Sequence, residues 1–229
     1  MYQSWNQLLF LHWKIDPEII QESLPPGLHV DTHEGAAYLG LVPFFMQDIR
    51  PRFLPRIPGI SNFLEMNVRT YVYDDSGTPG VWFYSLDANR SIAVAVARRF
   101  FHLPYYRADM ASQVNGGNIH YQCSPRRAGE SAASEFVYRG DQALALPKPG
   151  SLKYFLVERY VLFAHDEAAN QLYSGRVHHR PYQIETAIVS RVDSGALKLA
   201  GFEIDETCPD HSHFSTGVDV DLFALKPLP

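Results

Sequence analysis

The chain has 229 residues, with 46% hydrophobic and 20% charged side chains and a formal net charge of -5. That length supports one substantial core, and an acidic balance argues against a nucleic-acid partner, whose phosphates must be neutralised by cations. No stretch approaches the ~20 apolar residues of a membrane-spanning helix, no basic leader precedes an apolar run, and the only cysteines are Cys123 and Cys208. The expectation is a cytoplasmic chain with reduced thiols, no membrane or nucleic-acid partner, and a single domain over 1–229.

In chain order, Leu8 to Trp13 reads as a buried strand, and Asp16-Pro17 opens a short helix with the carboxylate as N-cap and proline at the first helical position. Pro25-Pro26-Gly27 ends that helix. Leu28 to Val30 and Ala36 to Phe44 read as strands around a turn. Residues 47–62 carry Pro51, Pro55 and Pro58 among arginines and read as a long loop throughout, best explained as a lid. Phe63 to Tyr73 alternates, with Glu65, Asn67, Arg69 and Tyr71 on one face and Leu64, Met66, Val68 and Thr70 on the other. Asp74 to Gly77 forms a hairpin turn into the strand Gly80 to Leu86.

Ile92 to Phe101 alternates apolar residues and reads as a further strand, followed by a short helix over Tyr105 to Ser112. Gly117 to Cys123 pairs with Glu135 to Tyr138 as a hairpin. Leu152 to Ala164 passes from helix to strand, Ile184 to Val192 belongs to another hairpin, and Gly217 to Leu225 closes the chain as an alternating strand. Many short strands with few helices point to a mixed sheet curled into a barrel.

Phosphate-loop and G-x-S-x-G patterns are absent, so nucleotide and serine-hydrolase chemistry lack support. Cys208, His211 and His213 cluster without a structural-zinc spacing, so no metal site and no cofactor is expected. The informative set is Glu65, Arg69 and Tyr71, spaced in two-residue steps of about 6–7 Å along one strand face. It suits either a cavity wall, with the carboxylate as acid or base and the other two binding ligand, or a structural ion pair. Arg98-Arg99 followed by Tyr105-Tyr106 forms the second candidate, since an inward arginine needs an acid from protein or ligand.

Several stretches carry a resemblance: His12-Trp13, Leu24-Pro-Pro-Gly-Leu-His-Val-Asp31, Gly40-Leu-Val-Pro-Phe44 and Glu65-Met-Asn-Val-Arg-Thr-Tyr-Val72. To these are added Gly80-Val-Trp-Phe-Tyr-Ser-Leu-Asp87, Ala97-Arg98 with Leu103-Pro-Tyr-Tyr106, and Gly217-Val-Asp-Val-Asp-Leu-Phe223. Over nearly its whole length the sequence resembles the YqjF-like or DUF2071 family, itself similar at a distance to acetoacetate decarboxylase. That resemblance implies a β-barrel with a central cavity and a few short peripheral helices. It places Arg98 on the decarboxylase arginine, Pro104 on its proline, Tyr105-Tyr106 on its two active-site lysines, and Glu65 near a cavity glutamate. Tyrosine cannot form a Schiff base, and Lys14, Lys148, Lys153, Lys198 and Lys226 do not replace the pair by motif.

The resemblance therefore implies a pocket for a small carbonyl or carboxylate compound, with acid–base rather than amine chemistry. Glu65 is the expected base, Tyr105 or Tyr106 the proton donor and Arg98 the anchor. The alternative is a non-catalytic small-molecule binder or sensor, or a structural subunit. The superfamily analogy also implies a homo-oligomer, of an order the residues do not fix.

Overall fold

The computed structural model describes residues 1–51, 61–127 and 132–229. The elements run β1 (Tyr2–Ile15), α1 (Pro17–Ser23), β2 (Leu28–Val30), β3 (Ala37–Arg50), β4 (Phe63–Asp74) and β5 (Pro79–Ala88). There follow α2 (Ser91–Phe101), β6 (Tyr105–Asn115), β7 (Asn118–Pro125), β8 (Ser134–Ala143), α3 (Leu152–Val157) and β9 (Val161–Asp166). The last are β10 (Gln171–His179), β11 (Ile184–Asp193), α4 (Ala196–Leu199), β12 (His211–Leu222) and β13 (Lys226–Pro227). No helix of the described residues is long and apolar enough to cross a membrane.

The expected barrel is not what forms. All the named strands join one sheet, in the order β13-β10-β9-β5-β6-β7-β8-β11-β12-β1-β3-β4-β2, with further pairings β10–β12 and β5–β4. In a simple barrel each strand has two neighbours, whereas here β5 pairs with β4, β6 and β9, and β12 pairs with β1, β10 and β11. The far edge of β5 is shared end to end: Val81 and Trp82 face β9, while Leu86 to Ala88 face β6. The far edge of β12 is shared in the same way, with His213 to Ser215 against β11 and Val220 to Leu222 against β10. The sheet thus branches and lies over two main clusters of buried side chains, one with Leu8, Phe10, Phe44 and Leu86, the other with Leu9, Leu11, Met66 and Phe136.

Strand β4 is the wall between them. Leu64, Met66 and Val68 enter the second cluster, while Phe63 and Tyr71 enter the first, so both faces are buried although only one reads as core from the sequence.

Three other expectations change. Residues 91–101 are helical, because β5 and β6 run parallel and a parallel pair needs a crossover, not a hairpin. His102, at φ 47°, ends α2 in the left-handed conformation before Leu103-Pro104. Tyr105 to Ser112, expected to be helical, belongs to β6, which pairs with both β5 and β7. The stretch expected to be loop begins as strand: β3 continues to Arg50, opposite Tyr2 of β1, and Ile49 donates to the Ser61 carbonyl. Residues 52–60 of that expected lid lie outside the described residues. The short helix after Asp16 forms as expected, with the Asp16 carboxylate accepting from the Glu18 amide at 2.9 Å.

Candidate functional site

The first cluster encloses a cavity of about 70 Å³. At roughly 10–15 Å³ per water, that is room for on the order of five waters or a small organic molecule, and too little for a nucleotide. Alternation along β4 sends Glu65, Asn67 and Arg69 into it, and Tyr105 enters from the start of β6. Trp5, Phe44, Val177 and Tyr182 supply apolar wall.

Glu65 lies between Phe44 of β3 and Ala88 of β5. Its backbone carbonyl accepts the Tyr121 hydroxyl at 2.8 Å, which fixes the strand at this point. Its carboxyl accepts the Tyr105 hydroxyl at 2.8 Å. Burial pushes the Glu65 carboxyl up to about 8; Asp87 adds to the rise and the Tyr105 hydrogen bond opposes it. Tyr105 is itself raised well above an ordinary phenol, by burial first and then by Glu65.

Arg69 occupies the other end of the β4 row, about 13 Å along the strand from Glu65. Gly40 lies opposite, and a Cβ there would meet the Arg69 Cγ at 3.2 Å, so the missing side chain makes room for the arginine stem. The guanidinium is buried. Its Nη2 donates to the Leu156 carbonyl at 3.2 Å and, more weakly, to the Tyr71 hydroxyl at 3.4 Å. No carboxylate pairs with it among the described residues, and its Nε has no partner. The Asn67 side-chain oxygen, between the two ends, is likewise buried and has no hydrogen-bond partner among the described residues.

Tyr71 does not line the cavity but holds Arg69 from behind. Its hydroxyl donates to the Leu156 carbonyl at 2.6 Å, and so accepts the proton that His12 Nε2 presents at 2.7 Å. Burial, with Arg69 nearby, lowers the His12 pKa well below its ordinary value and keeps the ring neutral.

Residues 2–219 match the DUF2071 family, described as an uncharacterised conserved protein. The chain belongs to that family. This DUF2071 protein is 38% identical to the uncharacterised protein YqjF of Bacillus subtilis over 226 residues, 99% of this chain and 91% of that one. Among solved structures it resembles acetoacetate decarboxylase from Legionella pneumophila, with a TM-score of 0.66 and 16% identity over 100% of this chain and 87% of that chain. It also resembles the enduracididine biosynthesis enzyme MppR complexed with pyruvate, with a TM-score of 0.65 and 14% identity over 100% and 90% of the two chains. At such identities the likeness establishes a shared fold and nothing further.

Within the DUF2071 chain, the remaining sequence candidates separate. Tyr106 follows Tyr105 on β6 and faces away from the cavity, where the Arg127 guanidinium lies over its ring at 3.9 Å. Arg98 is exposed on α2, 6.0 Å from the Tyr106 ring centroid, and does not reach the cavity. The nearby acid Asp87 is bound by both terminal nitrogens of Arg127 rather than by Arg98. None of the lysines lines the cavity; Lys14, Lys148, Lys153, Lys198 and Lys226 are all exposed.

Two further cavity residues were not singled out as site candidates from the sequence. Asn67 was placed on the face of Glu65 and Arg69 by alternation but given no role. Arg159 gave no local signal, since it follows α3 and reaches the cavity only through tertiary packing. Among the described residues no cluster of His, Cys, Asp and Glu is arranged to hold a metal ion.

Proposed function

We propose that this protein binds a small organic anion in the cavity. Arg69 receives the carboxylate, and the Glu65–Tyr105 pair exchanges a proton with a carbonyl or hydroxyl oxygen at the other end. The observation that carries this reading is the buried Arg69 guanidinium, which has no carboxylate partner among the described residues. A guanidinium taken out of water is costly unless an anion offsets it, and its forked donors match a carboxylate. Glu65 does not supply that charge at neutral pH, because with a pKa of about 8 it is mostly protonated. A ligand carboxylate would supply it.

A protonated Glu65 is a proton donor in the resting state, where the sequence suggested a base. On transfer, its proton passes to the ligand oxygen, and the carboxylate left behind accepts the Tyr105 hydrogen bond already in place. The absence of a lysine from the cavity wall supports acid–base chemistry over amine catalysis. The similar fold of MppR has been seen complexed with pyruvate, a small keto acid of the class this reading assigns.

The test is a thermal-shift screen with pyruvate and other small keto acids, hydroxy acids and neutral aldehydes. A saturable rise in melting temperature is expected for acids only. Arg69→Met should abolish the rise, while Glu65→Gln should retain it and lose any turnover found for the ligand. An equal shift in Arg69→Met would overturn the anion assignment, and full turnover in Glu65→Gln would overturn the proton-transfer role.

A further inference from the structure

The cavity has a neighbour. A surface cleft of about 420 Å³ opens between the turn that follows β2, the start of β5, and α3 with the segment leading into β9. Asp31, Pro79, Ser151 and Phe155 border it. Two residues belong to both spaces: Arg159 and Val161. Arg159 and Val161 therefore stand between cleft and cavity, and of the two only Arg159 carries a long, movable side chain.

That side chain is buried. Its Nη1 pairs with Asp31 Oδ2 at 2.7 Å, its Nε donates to the Phe155 carbonyl at 3.0 Å, and its guanidinium lies 4.3 Å from the Phe155 ring centroid. Asp31 is not in a strand; it lies between the end of β2 and the isolated bridge from His33 to Ala36. The guanidinium also lies 5.1 Å from the ring centroid of Tyr71, the residue whose hydroxyl braces Arg69. Arg159 is thus paired with a carboxylate, whereas Arg69 has none among the described residues, and Arg159 stands on the cavity's cleft side.

We propose that ligands reach the cavity through this cleft and that the Arg159–Asp31 ion pair is the latch. When Arg159 leaves Asp31, its long unbranched stem swings aside and the passage opens. An arriving carboxylate is suited to break the pair because it offers the guanidinium the same forked acceptor that Asp31 does. The charge preference rests on the anion reading above. The route does not, and its test needs no ligand.

Val177 lines the cavity from β10. Replacing it by cysteine, in a chain carrying Cys208→Ser to remove the exposed thiol, places a reporter inside. Cys123, fully buried in the other cluster, reports any wider opening. The rate of reaction with neutral methyl methanethiosulfonate is then followed by mass spectrometry. Asp31→Asn is expected to raise the rate at the introduced thiol about tenfold while leaving Cys123 unchanged. Pro79→Trp, which adds bulk at the exposed cleft wall and leaves Asp31 and Arg159 themselves unaltered, is expected to lower it by a similar factor. An unchanged rate in either variant, or a parallel rise at Cys123, would overturn the proposal. The proton-transfer reading could fail its own test without altering these rates, so the two failures are distinguishable.

Discussion

At the scale of single residues, the state of the Glu65 carboxyl is decided by burial. Tyr105 stabilises its charged form, yet desolvation with the Asp87 charge outweighs that one hydrogen bond, and the pKa rises to about 8. The folded protein holds this proton more tightly than the unfolded chain. The associated stability is therefore complete below about pH 4.5 and is lost as pH rises through 8. Glu65→Gln, which cannot ionise, should lack this dependence. Its unfolding free energy relative to wild type should improve by several kcal/mol between pH 5 and pH 9 in urea titrations, at about 1.4 kcal/mol per pH unit at most. An equal difference at both pH values would contradict the raised pKa. Asp87 offers a second check. Its side chain is fully buried and bound by Arg127, so Asp87→Ala leaves a partly buried guanidinium unpaired and should cost about 3–5 kcal/mol. If that variant is no less stable than wild type in denaturant, the pair contributes nothing net.

Among elements, α2 shows how local pattern and connectivity compete. Alternating Ile, Ala and Val over 92–97 fits a strand by period and residue type, but alanine also has the best helix propensity. What decides is the parallel pairing of Leu86 to Ala88 with Tyr105 to Arg107, which forces a crossover. The helix carries Arg98 out to solvent, and its last-turn arginines suit the negative end of the helix dipole. Ala95 is exposed in the middle of α2. Ala95→Val should therefore destabilise by about 0.5 kcal/mol, as in a helix, where a strand would gain from the same change. A stabilised variant in urea unfolding would speak for the strand. Arg98→Ala, for the same structural reason, should leave keto-acid thermal shifts unchanged.

For the whole molecule, the branch at β5 sets the boundary of the cavity. Where β9 joins β5, Gly80 has no room for a side chain: a Cβ would come within 2.7 Å of the Val161 carbonyl oxygen and 2.6 Å of the Phe163 ring. The backbone oxygen cannot move without the strand. Gly80→Ala should thus cost about 1–3 kcal/mol through overpacking and loosen β9, including Val161 at the cavity wall. A melting temperature within a degree of wild type would show that β9 yields freely.

Much of the site was legible along β4, because a strand's alternation is a local property. Glu65 and Arg69 fell on one face, as the cavity requires, and Asn67 between them followed the same rule. Reading that row as a cavity wall drew on family resemblance as well as pattern. The α1 cap and the passage from α3 to β9 were also local, written in Asp16-Pro17 and in the run from Leu152 to Ala164.

Other features were not written locally. Tyr105 and Tyr106 are adjacent and chemically alike, and only the pairing of β6 with β5 decides which ring meets Glu65. Arg159 joins the cavity across 90 residues from Arg69, and the branching of β5 and β12 exists only once three partners compete for one strand's edges. Residue order was enough to say which side chains can share a face, since strand geometry repeats every two residues. The folded neighbourhood settled which faces meet, which charges lose water and which arginine has no carboxylate beside it among the described residues, because pairing and desolvation depend on neighbours distant along the chain.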